Sequence, residues 1–261
     1  MKDRIPDPAA PRPASRALGV AIGALAMVGA IAGAGAQQPP ALTDVLPLDT
    51  SVTQHAGELT AAFAAATGRR HRLITQGEDG TTTAPLRLVY LPFGPVLITA
   101  TQVNHPNKTG SGWMSIYYLD QHGPTFTVKR RWPKFIQGWE WGEPPRHWSI
   151  TDKFTAWPAL YVADSITDSG YTCGGAMIAE LRPEGPVLSE MITTHVSNEG
   201  AQADAETPDG EAPRLLEGRI SHIVKGKSFT VRATGTATFT EHYVMRGGRF
   251  VRVEKQSRLA C

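Results

Sequence analysis

Two groups of residues in this chain have the types and spacing to do chemistry. The first is aromatic. Five of the six tryptophans, Trp132, Trp139, Trp141, Trp148 and Trp157, fall within one short stretch that also holds Phe135 and Phe154. Indole rings present flat apolar faces and one N–H donor. A cluster of them can therefore stack on a sugar ring, a Pro-rich peptide or another flat ligand. Trp139, Trp141 and Trp148 are the candidate ligand-binding residues. The competing reading is that these rings fill a β core. Pro133, Gly138, Gly142, Pro144, Pro145 and Pro158 are interleaved with them. Proline and glycine at that density oppose a long helix or a clean central strand, so the stretch is expected to be rich in loops. Trp132 and Trp157, each followed by proline, are expected to pack inside. Trp139 and Trp141, flanked by Gly138 and Gly142, are expected to be more exposed. Glu140, Glu143 and Asp152 lie in the same stretch. A glycosidase could use two such acids beside an aromatic platform.

The second group is the pair Cys173 and Cys261, 88 positions apart. In an oxidising compartment an even pair reads first as a disulfide. Closing a loop of that length stabilises a fold by roughly 4 kcal/mol through chain entropy. The sharper alternative is a Cys173 nucleophile, which needs a nearby histidine to lower its pKa. The eight histidines, His55, His71, His105, His122, His147, His195, His222 and His242, are scattered. They form no H-E-x-x-H motif and no i, i+4 pair, so no metal site is expected. G-x-S-x-G, S-x-x-K, Walker A and G-x-G-x-x-G are absent, and no cofactor is expected. Gly110-Ser111-Gly112 reads as a flexible turn. Asn107-Lys108-Thr109 matches a glycosylation sequon.

Compartment is the clearest inference. Arg16 precedes an uncharged Ala/Gly-rich run, Ala17 to Ala36, ending in Ala34-Gly35-Ala36. This order reads as a bacterial secretory signal over residues 1–36, cleaved near Ala36 to leave a periplasmic or secreted protein. The alternative is a retained membrane anchor over 17–36, since 20 residues suffice to span a bilayer core. Removing 1–36 takes away four bases (Lys2, Arg4, Arg12, Arg16) and two acids (Asp3, Asp7), so 26 and 24 become 22 and 22. A neutral mature chain does not suggest a nucleic-acid partner. A glycan or peptide does fit the aromatic stretch.

The elements that must position these groups follow from local pattern. Residues 37–50 read as a Pro-containing tether ahead of a single β-rich domain, 51–261. A helix is expected over 51–67, with Asp49, Thr50 or Ser51 as N-cap. Its apolar stripe is Val52, Ala56, Leu59 and Phe63, and Gly68 lies just past its end. From about residue 85 short extended runs alternate with Gly/Pro turns, and four pairs read as hairpins turning near Gly94, Gly123, Gly185 and Gly247. Their spacings of 29, 62 and 62 hint at a unit of about 31, as in a small propeller. Ser197 to Pro213, with five acids and no base, reads as an exposed mobile loop, with a calcium site as the weaker alternative. The expected fold is mainly antiparallel β, a curled meander or sandwich with one amphipathic helix, a small propeller being second. The expected function is that of an exported, non-enzymatic binding or envelope-interaction protein. The alternative is a hydrolase of envelope polymer or glycan.

Overall fold

Runs that alternate apolar and polar side chains between glycine turns pair antiparallel throughout this protein. The computed structural model describes residues 56–69, 74–75, 80–104, 110–204 and 212–261. The signal and tether segments, the N-cap, Val52, the sequon, and His55, His71 and His105 lie outside the described residues. Helix α1, Ala56–Thr67, comes first. It ends at Gly68, whose φ of 71° lets its N–H return to the Ala64 carbonyl at 2.8 Å.

The first sheet is a meander in chain order. It runs β1 Ile74–Thr75, β2 Thr81–Leu91, β3 Gly94–Val103, β4 Ser111–His122 and β5 Thr125–Trp141. The second holds β6 His147–Thr151, β7 Ala159–Asp168, β8 Tyr171–Arg182, β9 Gly185–Leu188, β10 Ile192–Ser197, β11 Leu215–Val224, β12 Ser228–Gly235, β13 Phe239–Arg246 and β14 Arg249–Arg252. Its path is β14-β13-β12-β11-β10-β8-β7-β6, with β9 folded back on β8. The four hairpins read from the sequence are all present, as β2–β3, β4–β5, β8–β9 and β13–β14. The strands form two sheets rather than blades. The two turns that a 31-residue unit would place near Phe154 and Leu216 are not hairpins. Phe154 is fully buried, and Leu216 pairs with both Val196 and Gly235 inside β11.

Three apolar layers hold the sheets. Leu59, Ala62 and Phe63 of α1 cover Leu88, Leu97, Leu119 and Phe126 on one face of the first sheet. Burial of each large side chain contributes roughly 2 kcal/mol. The opposite face, through Val96, Ile98, Met114 and Ile116, packs on Leu160, Val162, Ala179 and Leu181 of β7 and β8. The other side of those two strands, Tyr161, Ala163, Ala176 and Ile178, joins Ile220, Phe229, Val231 and Tyr243 from β11 to β13. The second sheet thus curls round its own side chains. Arg182 on β8 closes the curl by donating to the Gly248 carbonyl in the β13–β14 turn at 2.6 Å.

Two expectations need correction. The tryptophan stretch is not mainly loop: β5 runs through Trp141, and β6 follows after a short link. Pro133 is tolerated because β5 is the outermost strand and bulges there, while Pro144, Pro145 and Pro158 fall between strands. Ile116 faces Trp132 and Met114 faces Ile136, so Pro133, Lys134 and Phe135 oppose the single residue Ser115. Lys134 absorbs the extra length at a φ of 52°. The acidic stretch is likewise not one exposed loop. Ser197 ends a fully buried strand and Asn198 is buried, and a short helix α2 spans Glu199–Asp204. Glu206, Asp209 and Glu211 lie outside the described residues.

Candidate functional site

The bulged outer strand decides where each tryptophan goes. Trp132 packs edge-on to Tyr118, with ring centroids 4.6 Å apart, and its ring covers Gly185. A Cβ at Gly185 would sit 2.7 Å from that ring, and the φ of 142° there also requires glycine. Trp157 meets Phe93 edge-on at 5.7 Å, and its backbone N–H donates to Glu180 at 3.1 Å. Trp148, opposite Val162 on β6, packs half-buried against the core between the sheets. Trp139 is also half-buried, its ring tip lying where a Cβ on Gly175 would be 2.9 Å away. Trp141 differs: it ends β5 at a φ of 24° and keeps 51% of its surface exposed. The sixth ring, Trp113, lies under the ammonium of Lys134 at 4.3 Å. Of the three candidate binding residues, one is therefore open to solvent and two are anchored at their inner edges.

The acids of the same stretch point to different surroundings. Glu143 accepts from the Gln102 amide at 2.6 Å, at the end of β3. The side chain of Glu140 lies outside the described residues. Asp152, just after β6, lines an open cleft of about 490 Å³ with Lys153, His222, Ile223 and Lys225. Sequence reading missed this cleft, because its walls are some 70 positions apart and meet only where the curl brings β11 against the β6–β7 link. A buried acid was missed as well. Glu180, 3% exposed, accepts from Arg182 Nε at 2.6 Å and ties β8 to the β13–β14 turn.

A smaller cavity of about 130 Å³ lies at the β4–β5 bulge, lined by Phe93, Tyr118, Arg130 and Pro183 among others. The Tyr118 hydroxyl is buried with no hydrogen-bond partner. Burial raises its pKa well above the ordinary value, and Glu184 reinforces that shift against the opposing charge of Arg130.

Cys173 and Cys261 form a disulfide with Cα atoms 5.7 Å apart. The geometry suits an unstrained backbone span, and the bonded sulfur removes Cys173 as a nucleophile in this state. Among the described residues, no three His, Cys, Asp or Glu side chains converge to hold a metal ion. No described helix is long and apolar enough to cross a membrane. Comparison with protein-family models, curated proteins and solved structures finds no match to this chain.

Proposed function

We propose that this chain is an exported, non-catalytic binding protein of a bacterial envelope that takes a glycan on the aromatic edge formed by Trp139, Trp141 and Trp148. The observation that carries the reading is Trp141. Its ring is 51% exposed at the end of an outer strand, two positions along from the half-buried Trp139. An open indole has only two side-chain torsions to lose, so it costs little entropy when a sugar face stacks on it. Export rests on the basic-apolar-small order of Arg16 to Ala36 and on a disulfide that suits an oxidising compartment. In this reading residues 1–36 are removed, 37–50 are a tether and 51–261 are the binding domain.

The test is a fluorescence titration of the mature chain with soluble peptidoglycan fragments and, separately, a Pro-rich peptide. Saturable quenching by the glycan, weakened tenfold or more in Trp141→Ala, is the expected result; stacking of this kind is worth about 1–3 kcal/mol. Equal binding by Trp141→Ala ends the proposal for this face. Release of new reducing ends from the glycan makes the protein a hydrolase instead. Intact mass of the exported product checks cleavage, and a mass retaining 1–36 favours an anchor.

A further inference from the structure

We propose that the cavity between β4, β5 and the β8–β9 turn takes a small carboxylate with an apolar body the size of one aromatic ring, its oxygens held by the Tyr118 hydroxyl and the Arg130 guanidinium. The cavity measures about 130 Å³ and lies where the β2–β3 turn, the β4–β5 hairpin and the β8–β9 turn meet. An apolar protein cavity of about 150 Å³ holds benzene, so this volume suits a single ring. Its walls are apolar and braced. Phe93, Pro95, Leu119 and Pro183 line it. Phe93 stands between Tyr118 at 5.0 Å and Trp157 at 5.7 Å, and Tyr118 in turn meets Trp132 at 4.6 Å. A site formed before its ligand arrives loses little entropy on binding.

The cation is placed by a second bulge in β5. Tyr118 pairs with Arg130 and Leu119 with Val128, so Lys129 is the extra residue. Directly paired residues carry their side chains on one face with Cβ atoms about 5 Å apart, which sets Arg130 beside Tyr118 at the cavity mouth. Arg130 Nη1 donates to the Glu184 carbonyl at 2.6 Å. That bond ties the guanidinium to the β8–β9 turn through a neutral acceptor, and a guanidinium has further N–H groups to offer in the same plane. Lys129 is already paired, its Nζ lying 3.3 Å from Asp120 Oδ1 on the surface, and has no part in the site.

The Tyr118 hydroxyl is what points to a ligand. Tyr118 is 3% exposed, and its hydroxyl has no hydrogen-bond partner among the described residues. Native proteins seldom leave a buried hydroxyl in that state, because its lost hydration is not repaid. Burial keeps the phenol protonated, with the exposed Glu184 adding to the effect and Arg130 opposing it. A protonated phenol is a donor that calls for an acceptor. A carboxylate meets both groups at once, one oxygen on the phenol and one on the guanidinium, through charge-assisted hydrogen bonds. A neutral hydroxyl would leave the guanidinium unused, and a bare anion would leave the apolar walls wet. The site is separate from the tryptophan edge, since Trp141 ends β5 and Arg130 lies near its start.

Calorimetric titration of the exported protein with benzoate, benzyl alcohol and acetate tests the proposal. Benzoate should bind. Benzyl alcohol has the ring without the charge and acetate the charge without the ring, so each should bind at least about tenfold more weakly. Tyr118→Phe keeps the ring contacts and removes the hydroxyl, and Arg130→Met changes an exposed side chain; each should weaken benzoate about tenfold or more. No binding at millimolar benzoate, equal affinity for benzyl alcohol or acetate, or unchanged affinity in folded Tyr118→Phe or Arg130→Met overturns it. Trp141→Ala should leave benzoate binding as it is, and a loss there would put the ligand on the tryptophan edge and overturn the cavity assignment. Because the two sites are read with different probes and different variants, failure here and failure of the glycan-binding edge are distinguished.

Discussion

The carboxylate of Glu241 on β13 accepts the backbone N–H of Arg258 at 2.6 Å and so holds the C-terminal tail against the curled sheet. The same oxygen accepts from Ser257 Oγ at 2.9 Å, and the contact seats Leu259, fully buried, in the core beside Gly218. Arg258 lies over the Phe239 ring at 4.1 Å, and its carbonyl accepts from Arg214 at 2.7 Å. The disulfide then fixes Cys261 to β8.

Glu241→Ala should therefore destabilise the protein by about 2–3 kcal/mol, since it removes a charged acceptor serving several donors and empties a buried position. Urea unfolding at neutral pH measures the loss. A change below about 0.5 kcal/mol would mean the tail is held without this carboxylate.

Reduction of the Cys173–Cys261 bridge, or Cys261→Ser, should cost about 4 kcal/mol on loop-closure entropy. The bridge and Glu241 restrain the same tail, so the double variant should lose less than the sum of the two single losses. A strictly additive cycle would show that the two act on separate units.

Burial raises the phenol of Tyr243 to about 12, with Glu241 adding to the shift and Arg252 opposing it. The folded pKa lies above the ordinary 10.0, so folding favours the neutral ring. That contribution is fully present below pH 10 and is lost as the pH rises from about 10 towards 12, on the order of 2 kcal/mol. Tyr243→Phe should flatten this alkaline limb while changing stability at pH 7 by no more than about 1 kcal/mol, the worth of one hydrogen bond to the Arg252 side chain. A variant with the same alkaline midpoint as the parent would refute the assignment.

Alanine substitution should separate the tryptophans by stability before any ligand is known. Trp132→Ala, which strips a ring from Tyr118 and Gly185, should cost about 3 kcal/mol, whereas Trp141→Ala should stay within about 0.5 kcal/mol. Equal losses at the two positions would show that Trp141 is core and would remove the basis for a binding edge.

Much of the fold was readable from local pattern. Gly68 ended the helix, Leu59 and Phe63 marked its buried face, and each of the four Gly-containing turns made the expected hairpin. These signals are legible because turn φ values and helix periodicity are properties of a few neighbouring residues. Strand β10 was not read. Its six residues are all buried, yet Thr193, Thr194, His195 and Ser197 are polar, so no alternation announces it. The extent of β5 was also missed, because Pro133 and Gly138 argue against a strand unless its outer position and its bulge are known.

The sequence by itself determined the antiparallel β class, the hairpins, the helix and the pairing partners of a two-cysteine chain. Tertiary structure alone decided that Trp141 rather than Trp139 stays open, and it alone brought Asp152 and Lys153 to His222 and Lys225. The reason is physical: a turn is encoded by the residues that make it, whereas exposure and convergence depend on which distant strand arrives opposite. That arrival is set by bulges and by the curl of a nine-stranded sheet, and both are settled by the packing of the whole core.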